Sequence, residues 1–504
     1  MPSFSQVPES ARASEIYIEL RGVRESLASL FIPPTGGMIG QYDPAKTAVV
    51  DYERVKVVSA DDVGNKAGFG SHAHRIALQI PPAVFLQGGG VYWFPVPEDG
   101  AASAADETIT IVGTATSAGT LFILVGSDLL SVGIPKGSTE TEIAAAIATA
   151  ITADQNLPVS AVSALGVATL TAKFKGTAGN QIKLVLNPGG EVQENKAPAG
   201  ITVALENADG YLDGGSTDPS VESVFFDGSG NDKLGDEWYT DFNLPYTDAA
   251  NIAHHVASGE ARKDPAVNRF FGSQGGYTRE TLTQALNVPA TINSEWIDPI
   301  WENRLHAPAF ELSAQLFGTI LDEKNKAPNR PYKTLEVDLP VDSSIVNRRT
   351  AENDALFRAG MGYCKIDSSG KLRLGDIATS YRTNDSGGAT EEWFDAVTRG
   401  IRQAKAYSLE QLFLGEDYQR SVVVDDASPT KISFARKPKD IIADVSKLIN
   451  ELWAPFGWTK NADEVIASLT AEINSGFAGR LDGGVVDDDG KALRIVAFDY
   501  AYKY

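Results

Sequence analysis

Histidine and serine are the side chains with which a Ser-His-Asp hydrolase would work, and this sequence of 504 residues contains five histidines. Such a triad needs a histidine that a carboxylate orients beside a nucleophilic serine. Only Ser71-His72 and His254-His255 are candidate positions, and no candidate serine stands in a Gly-x-Ser-x-Gly elbow. The pattern favours histidines that are solvated or that cap helices. An α/β hydrolase remains the enzymatic alternative.

Metal and phosphate chemistry have even weaker support. A helix is predicted to follow Ser71. On a strand, His72 and His74 could instead line one face and bind a metal ion, but no further histidine or cysteine stands nearby to complete a zinc site. The acidic turn Asp487-Asp488-Asp489-Gly490 lacks the glutamate that closes a calcium loop. Gly88-Gly89-Gly90 lacks the Lys-Ser/Thr of a phosphate loop. We therefore expect no catalytic residue, no metal site and no cofactor.

The composition is that of a globular protein with a strongly acidic surface. Apolar residues make up 43% and charged residues 22% of the chain, and the net charge is −22. That charge repels nucleic-acid phosphates, so direct binding of DNA or RNA is disfavoured. No apolar run is long enough for membrane insertion, and the first residues lack the pattern of a signal peptide. The single cysteine, Cys364, excludes an internal disulfide and is expected to be a buried thiol.

Alternating strands and helices in 26–97 and 216–385 predict an α/β unit whose parallel sheet is covered on both faces. Its clearest local signals are a helix over 349–362, with Thr350 at the N-cap position, and a hairpin that turns at 367–371. A long helix is predicted from about Pro308 to Lys324. These elements indicate the main core of the protein.

The segment 98–215 differs in composition from the chain on either side. It has only three aromatic residues and carries thirteen acidic residues against five lysines. Several short strands and one helix are predicted; Thr139 and Glu142 form a capping box, and Ile143, Ile147 and Ile151 share a face. We interpret the segment as a self-contained α+β insertion. Its Thr/Ala/Gly-rich, acidic character also leaves open an adhesin or a capsid-type shell protein.

The remaining chain predicts a smaller α+β unit over 386–490 and an extended strand at each terminus. A helix should open at Pro438. In 1–25 and 491–504 alternate apolar residues share one face of a strand, and such strands require a partner sheet. The residues are Ile16, Ile18 and Leu20 near the N-terminus and Val496, Phe498 and Tyr500, with neighbouring Ile495, near the C-terminus.

Three groups of residues, in the same order along the chain, resemble contractile phage tail sheath proteins of the Mu type. The first is the turn Gly68-Phe69-Gly70-Ser71, and the second is the loop Gly176-Thr177-Ala178-Gly179-Asn180-Gln181-Ile182. The third covers the helix and hairpin over 350–372, then Thr379-Ser380-Tyr381, Thr383-Asn384 and Trp393-Phe394-Asp395. Glycine turns are common individually, and their order over about 330 residues makes the resemblance specific.

This resemblance implies a subtilisin-like α/β core over 26–97 and 216–385. It also implies an outer insertion over 98–215, a tube-proximal C-terminal domain over 386–490, and N- and C-terminal strand arms over 1–25 and 491–504. Such a subunit polymerises helically as stacked rings around a tail tube and contracts to drive the tube through the cell envelope. Its partners are further copies of itself, the tail tube protein, and baseplate and tail terminator proteins. The protein would be made in the host bacterial cytoplasm and reside in the virion tail, or in a phage-tail-like bacteriocin or injection device.

Overall fold

The computed structural model describes residues 27–477, apart from 189–196, 265–266, 343–346, 416–417, 419–420, 425 and 427–434. The described part is a mixed α/β protein with four sheets. None of its helices combines the length and the apolar character needed to cross a membrane. The predicted arm residues, Ile16, Ile18, Leu20, Ile495, Val496, Phe498 and Tyr500, lie outside the described residues, as does the turn 487–490.

The described residues contain seventeen strands: β1 Thr35–Gln41, β2 Val55–Val57, β3 Gly90–Val96, β4 Ala104–Gly113, β5 Gly119–Val125, β6 Asp128–Ile134, β7 Val159–Ala164, β8 Val167–Lys175, β9 Leu184–Leu186, β10 Ile201–Leu205, β11 Asp241–Leu244, β12 Gly272–Tyr277, β13 Ile297–Trp301, β14 Gly362–Ile366, β15 Leu372–Leu374, β16 Val422–Val423 and β17 Ala435–Arg436. The helices of the same residues are α1 Ala60–Ala67, α2 His72–Leu78, α3 Glu140–Ala153, α4 Glu222–Phe225, α5 Ala249–Lys263, α6 Leu282–Ile292, α7 Ala309–Lys326, α8 Thr350–Ala359, α9 Ala396–Phe413, α10 Pro438–Leu448 and α11 Ala462–Phe477.

The main sheet has eight strands in the order β15-β14-β13-β12-β11-β1-β3-β2. The pairs from β3 through β1, β11, β12 and β13 to β14 are parallel, which confirms the predicted parallel sheet. A side chain at Gly36 would meet Phe317 of α7, and one at Gly37 would meet Phe242, which contacts His255 of α5. Since successive strand residues point to opposite faces, helices cover both faces of this sheet.

The segment 98–215 forms two antiparallel sheets, ordered β10-β4-β8-β7 and β6-β5-β9, with α3 packed against them. The predicted capping box of Thr139 and Glu142 is confirmed, and Ile143, Ile147 and Ile151 are buried. The expectation of a self-contained unit needs one correction. The hydrophobic cluster of this segment is continuous with that of the main sheet, so the two share one core.

The predicted helix and hairpin near residue 350 are confirmed with changed bounds. The N-cap of α8 is Arg349 rather than Thr350, because the Glu352 carboxylate accepts a hydrogen bond from the Arg349 amide at 2.8 Å. The helix ends at Gly360, which has a φ of +96° that suits glycine. Its hairpin, β14 and β15, turns where Asp367 accepts hydrogen bonds from the following amides.

The C-terminal helices α9, α10 and α11 form a second, separate hydrophobic cluster with Leu30, Phe31 and Ile32 from the start of the described chain. The predicted helix at Pro438 is confirmed and buries Ile441, Val445 and Leu448. The parallel pair of β16 and β17 belongs to the same part of the chain.

Candidate functional site

The first place to look for a ligand site is the crevice at the carboxyl ends of β1 and β11. Strand β3 lies on one side of β1, and β11 lies on the other side. The chain passes from β1 to β3 and later returns to β11, so the strand order reverses between β1 and β11. Open α/β sheets bind their ligands outside the carboxyl ends of the strands at such a switch point. Here Gln41 is the last residue of β1, and Tyr246 follows β11 by two residues.

This crevice is filled by the chain itself. The His72 ring lies 4.9 Å from Phe174, 5.3 Å from Tyr246 and 4.6 Å from Phe310, measured between ring centroids. The Gln41 side-chain amide donates to the Lys175 carbonyl at 3.0 Å. Phe174 and Lys175 belong to β8, so the segment 98–215 closes the position where an α/β enzyme would bind its substrate.

The histidines differ from the sequence expectation. His72 and His74 lie on helix α2 rather than on a strand, and Ser71 caps that helix by accepting from the His74 amide. Both imidazoles and that of His255 are fully buried instead of solvated. Burial lowers the pKa of His72 to about 3, so its ring is neutral at pH 7. Its Nδ1 atom lies 3.2 Å from the Tyr246 hydroxyl.

A serine–histidine pair that the sequence did not reveal joins α5 to β12. The Nδ1 atom of His255 lies 2.8 Å from Ser273 Oγ, and both residues are fully buried. A triad would need a carboxylate on the second ring nitrogen. Among the described residues Nε2 has no hydrogen-bond partner, and the Phe225 ring lies 4.7 Å away from the imidazole. The pair therefore satisfies buried polar groups and lacks the third member of a catalytic triad.

These buried histidines predict acid sensitivity. Burial lowers the pKa of His255 to about 3, against 6.5 for the free side chain. As the pH falls below 6.5, the unfolded chain binds a proton that the folded chain cannot, so stability decreases towards pH 3. At pH 5 this amounts to about 2 kcal/mol for His255. In urea unfolding, His255→Phe should reduce the wild-type loss of stability between pH 7 and pH 5 by that amount.

Phe225→Leu is the matched control for this experiment, because it removes packing against the His255 ring without removing a titrating group. It should lower stability equally at the two pH values. An unchanged difference between pH 7 and pH 5 in His255→Phe would contradict a neutral, buried His255.

A buried ion pair fastens the segment 98–215 to the main sheet. Arg75 of α2 donates to the Glu311 carboxylate of α7 at 2.8 and 2.6 Å, and both side chains are almost completely buried. Arg75 also donates to Ser127 Oγ at 2.8 Å and to the Asn156 carbonyl at 3.0 Å. Ser127 in turn donates to Glu311 at 2.7 Å. Helices α2 and α7, which pack on the main sheet, therefore share one polar network with two loops of the segment 98–215.

Ser127→Ala should lower the free energy of unfolding by about 2 kcal/mol, because hydrogen bonds to two charged groups are lost together. Ser131→Ala, at an exposed position on neighbouring β6, should change stability by less than about 0.5 kcal/mol. Guanidinium unfolding of the two variants measures the difference. Equal stabilities would show that the network does not hold the segment in place.

A second buried network lies at the amino ends of the parallel strands. Lys324 Nζ donates to both Asp241 oxygens at 2.9 and 2.7 Å, and Arg399 NH1 donates to Asp298 Oδ1 at 2.8 Å. Gln274 connects the two carboxylates at 3.1 Å each. All four charged side chains are almost completely buried. Their two positive charges balance their two negative charges. The network joins α7 and α9 to the sheet, on the edge opposite the closed crevice.

Both ends of the described chain meet at the C-terminal helices. The Phe31 ring lies 5.0 Å from Phe456 and 5.6 Å from Trp458. Thus residue 27, just beyond the predicted N-terminal arm, starts beside α9, and α11 ends at Phe477, ahead of the predicted C-terminal arm. Sequence reasoning missed this convergence, since the two termini are more than 400 residues apart.

Other candidates from the sequence have structural roles. Cys364 is buried, and burial raises the pKa of its thiol. Gly88, in the turn before β3, and Gly90, the first residue of β3, have positive φ angles. In the described ranges, no group of three or more histidine, cysteine or acidic side chains is arranged to hold a metal ion.

Comparison with known proteins gives one significant relative by sequence and several similar structures. No protein-family model matches the chain. The Mu-like prophage FluMu tail sheath protein of Haemophilus influenzae is 24% identical over 468 residues, which covers 90% of this chain and 88% of the relative.

The similarities to solved structures cover a comparable share of the chain and are weaker. A sheath tail protein from Desulfitobacterium hafniense is 11% identical with a TM-score of 0.42, and covers 89% of this chain and 91% of its own. A sheath tail protein from Listeria innocua is 12% identical with a TM-score of 0.42, and covers 85% and 86%. Because these TM-scores are low, the relationship depends on the sequence match. Over nine-tenths of its length, the chain is similar in sequence to a Mu-like prophage tail sheath protein.

Proposed function

We propose that this chain is the repeating subunit of a contractile tail sheath. Copies polymerise helically, as stacked rings, around a tail tube, and contraction of the assembly drives the tube through a cell envelope. The observation that carries the proposal is the match to a tail sheath protein over nearly the whole of both chains. The filled crevice supports it, because the α/β sheet then serves as a rigid block without a substrate.

The same proposal assigns a separate role to each part of the subunit. A subtilisin-like core over 26–97 and 216–385 carries the outer segment 98–215, and 386–490 faces the tube. The arms 1–25 and 491–504 add strands to neighbouring subunits through backbone hydrogen bonds. Support comes from the packing of Phe31 against Phe456 and from the end of α11 at Phe477, because these described residues are close in sequence to the two proposed arms and lie at the C-terminal helices. One helical unit would therefore hold the links between subunits.

The proposed partners are further copies of the chain, the tail tube protein, and the baseplate and tail terminator proteins. The assembly resides in a virion tail after synthesis in the bacterial host cytoplasm. The same mechanics serve a phage-tail-like bacteriocin or an injection device. No bond cleavage is required, since contraction releases free energy from subunit surfaces that pair better in the contracted state.

Sedimentation velocity of the full-length chain tests the proposal. At rising concentration, a sheath subunit should pass from monomer to very large species, because each added subunit makes contacts with several neighbours. An ester-hydrolysis assay on the same sample should give only the background rate. A monomer at all concentrations, with or without tube protein, would contradict the proposed function.

A further inference from the structure

The hairpin of β7 and β8 ends in a turn whose sequence is unfavourable for its backbone. Leu165 and Gly166 are the two residues between the strands, and both have positive φ angles, +47° and +82°. Such a turn favours Asn-Gly, because leucine is strained at positive φ. The Leu165 side chain is also 89% exposed, so it packs little within its own subunit. A residue that is both strained and exposed indicates a role outside the folded chain.

Exposed apolar residues surround this turn. Val162 is 70% exposed and Val112 is 59% exposed. Val112 follows Ile111, whose amide donates to the Gly166 carbonyl at 2.9 Å, so Val112 lies beside the turn. The tip cluster consists of Val112, Val162, Ala164 and Leu165. None of these residues is charged, although the net charge of the chain is −22. Copies of so acidic a chain repel each other least where uncharged surfaces meet.

A hollow of about 250 Å³ lies between β6 and the first turns of α3. Its lining residues are Gly133, Ile134, Pro135, Ser138, Glu142, Ile143 and Ala146. The Glu142 carboxylate accepts from the amide and the hydroxyl of Thr139 at 2.8 and 3.0 Å, so its charge is directed to the end of the helix. A cavity of about 150 Å³ holds a benzene molecule. The hollow therefore has room for a leucine side chain.

The tip cluster and the hollow lie on different sides of α3. A side chain at Gly166 would lie 3.1 Å from the Glu140 side chain, whereas Glu142 lines the hollow. Residues two positions apart on a helix do not face each other. Since the two surfaces are built from different residues, each copy could bind one neighbour with its tip cluster and another with its hollow. Contacts of this kind repeat along a helical polymer.

We propose that Leu165 of one copy inserts into the hollow between β6 and α3 of a second copy. The contact removes an exposed leucine from water and gives the strained turn a purpose in assembly. This inference rests on the proposed sheath function, for which it names a contact between the segments 98–215 of neighbouring subunits. One contact is small, but a lattice repeats it at every subunit.

Leu165→Asn tests the tip cluster. Asparagine tolerates a positive φ better than leucine, so the variant should unfold at the same temperature as the wild type or above it. By light scattering, tube formation should require at least about tenfold more protein, because the burial of one leucine is lost at every contact. Leu86→Asn is the matched control, since Leu86 is 75% exposed with a negative φ, and it should assemble as the wild type does. Wild-type tubes that Leu165→Asn forms at an unchanged concentration would overturn this inference and leave the sheath function intact.

A cross-linking experiment tests the contact without requiring tubes. Leu165→Cys and Gly133→Cys are made in separate full-length chains of different tag length; a side chain at Gly133 meets no atom within 4 Å, and the native Cys364 is buried. Under mild oxidation the mixture should give a disulfide-linked dimer of the two chains. A mixture of Leu86→Cys with Gly133→Cys should give much less. Equal cross-linking in both mixtures, or none in either, would overturn the proposed contact, whether or not tubes form.

Discussion

Deletion of Leu493–Tyr504 should leave a folded protein that forms no tubes. The deletion starts well beyond α11, which ends at Phe477, so every described helix and strand is retained. In the proposed assembly this segment adds a strand to a neighbour, and its loss removes the same link from every subunit of the lattice. Circular dichroism and thermal unfolding should match those of the wild type, and electron micrographs should contain no tubes.

Point variants within the segment sharpen this test. Alternation places Val496, Phe498 and Tyr500 on one face of the predicted strand and Asp499 on the other. Phe498→Asp should therefore prevent assembly, whereas the matched control Asp499→Asn should assemble normally. Tubes formed by the truncated chain would contradict the proposal that this segment links neighbouring subunits. A truncated chain that does not fold would show that the strand pairs within its own subunit.

Arg399→Met should lower the free energy of unfolding by about 3–5 kcal/mol, the cost of leaving one partner of a buried ion pair without the other. Arg399 is fully buried against Asp298, and its NH1 group also donates to the Glu295 carbonyl at 2.8 Å. After removal of its charge, the side-chain donor left to Asp298 among the described residues is the neutral Gln274 amide at 3.1 Å. Urea unfolding at pH 7 measures the loss.

Two further variants separate charge from packing in this network. Arg402→Met, on the same helix, alters a half-buried side chain that donates to the Glu392 carbonyl at 3.2 Å, and should cost less than about 1.5 kcal/mol. The double variant Arg399→Met with Asp298→Leu removes both charges and should recover much of the stability that the single variant loses. If the single variant is as stable as Arg402→Met, the network does not anchor α9 to the sheet.

Local sequence signals predicted the local structure well. The capping box at Thr139 and the turn at Asp367 each depend on residues a few positions apart, and each was confirmed. The parallel sheet was also predictable, because alternating strands and helices favour it. The N-cap of α8 differed, since the capping group there is the Glu352 carboxylate rather than a side chain at the N-cap position.

Long-range partners could not be predicted in the same way. Arg75 and Glu311 are 236 positions apart, and Arg399 and Asp298 are 101 apart. A charged residue in a helix is usually solvated, so nothing in the local pattern marked these four as buried. The helix predicted to follow Ser71 is confirmed, whereas the strand on which His72 and His74 could have shared one face is wrong.

The closed crevice explains how an α/β sheet can serve a structural purpose. The loss of a ligand site at β1 and β11 is coupled to a gain in rigidity, because His72, Phe174, Tyr246 and Phe310 join three parts of the chain in one aromatic cluster. The Arg75 network fixes the same segment from a second direction. A subunit that moves as a rigid body is what the proposed sheath requires, since its work is done at the surfaces between subunits.

Negative-stain electron microscopy of the purified full-length chain, concentrated alone and with its tube protein, tests the central claim most directly. The sheath proposal predicts hollow, cross-striated tubes of constant diameter. Closed shells or solid fibres would indicate a different kind of assembly. Dispersed monomers under both conditions would contradict the proposed function.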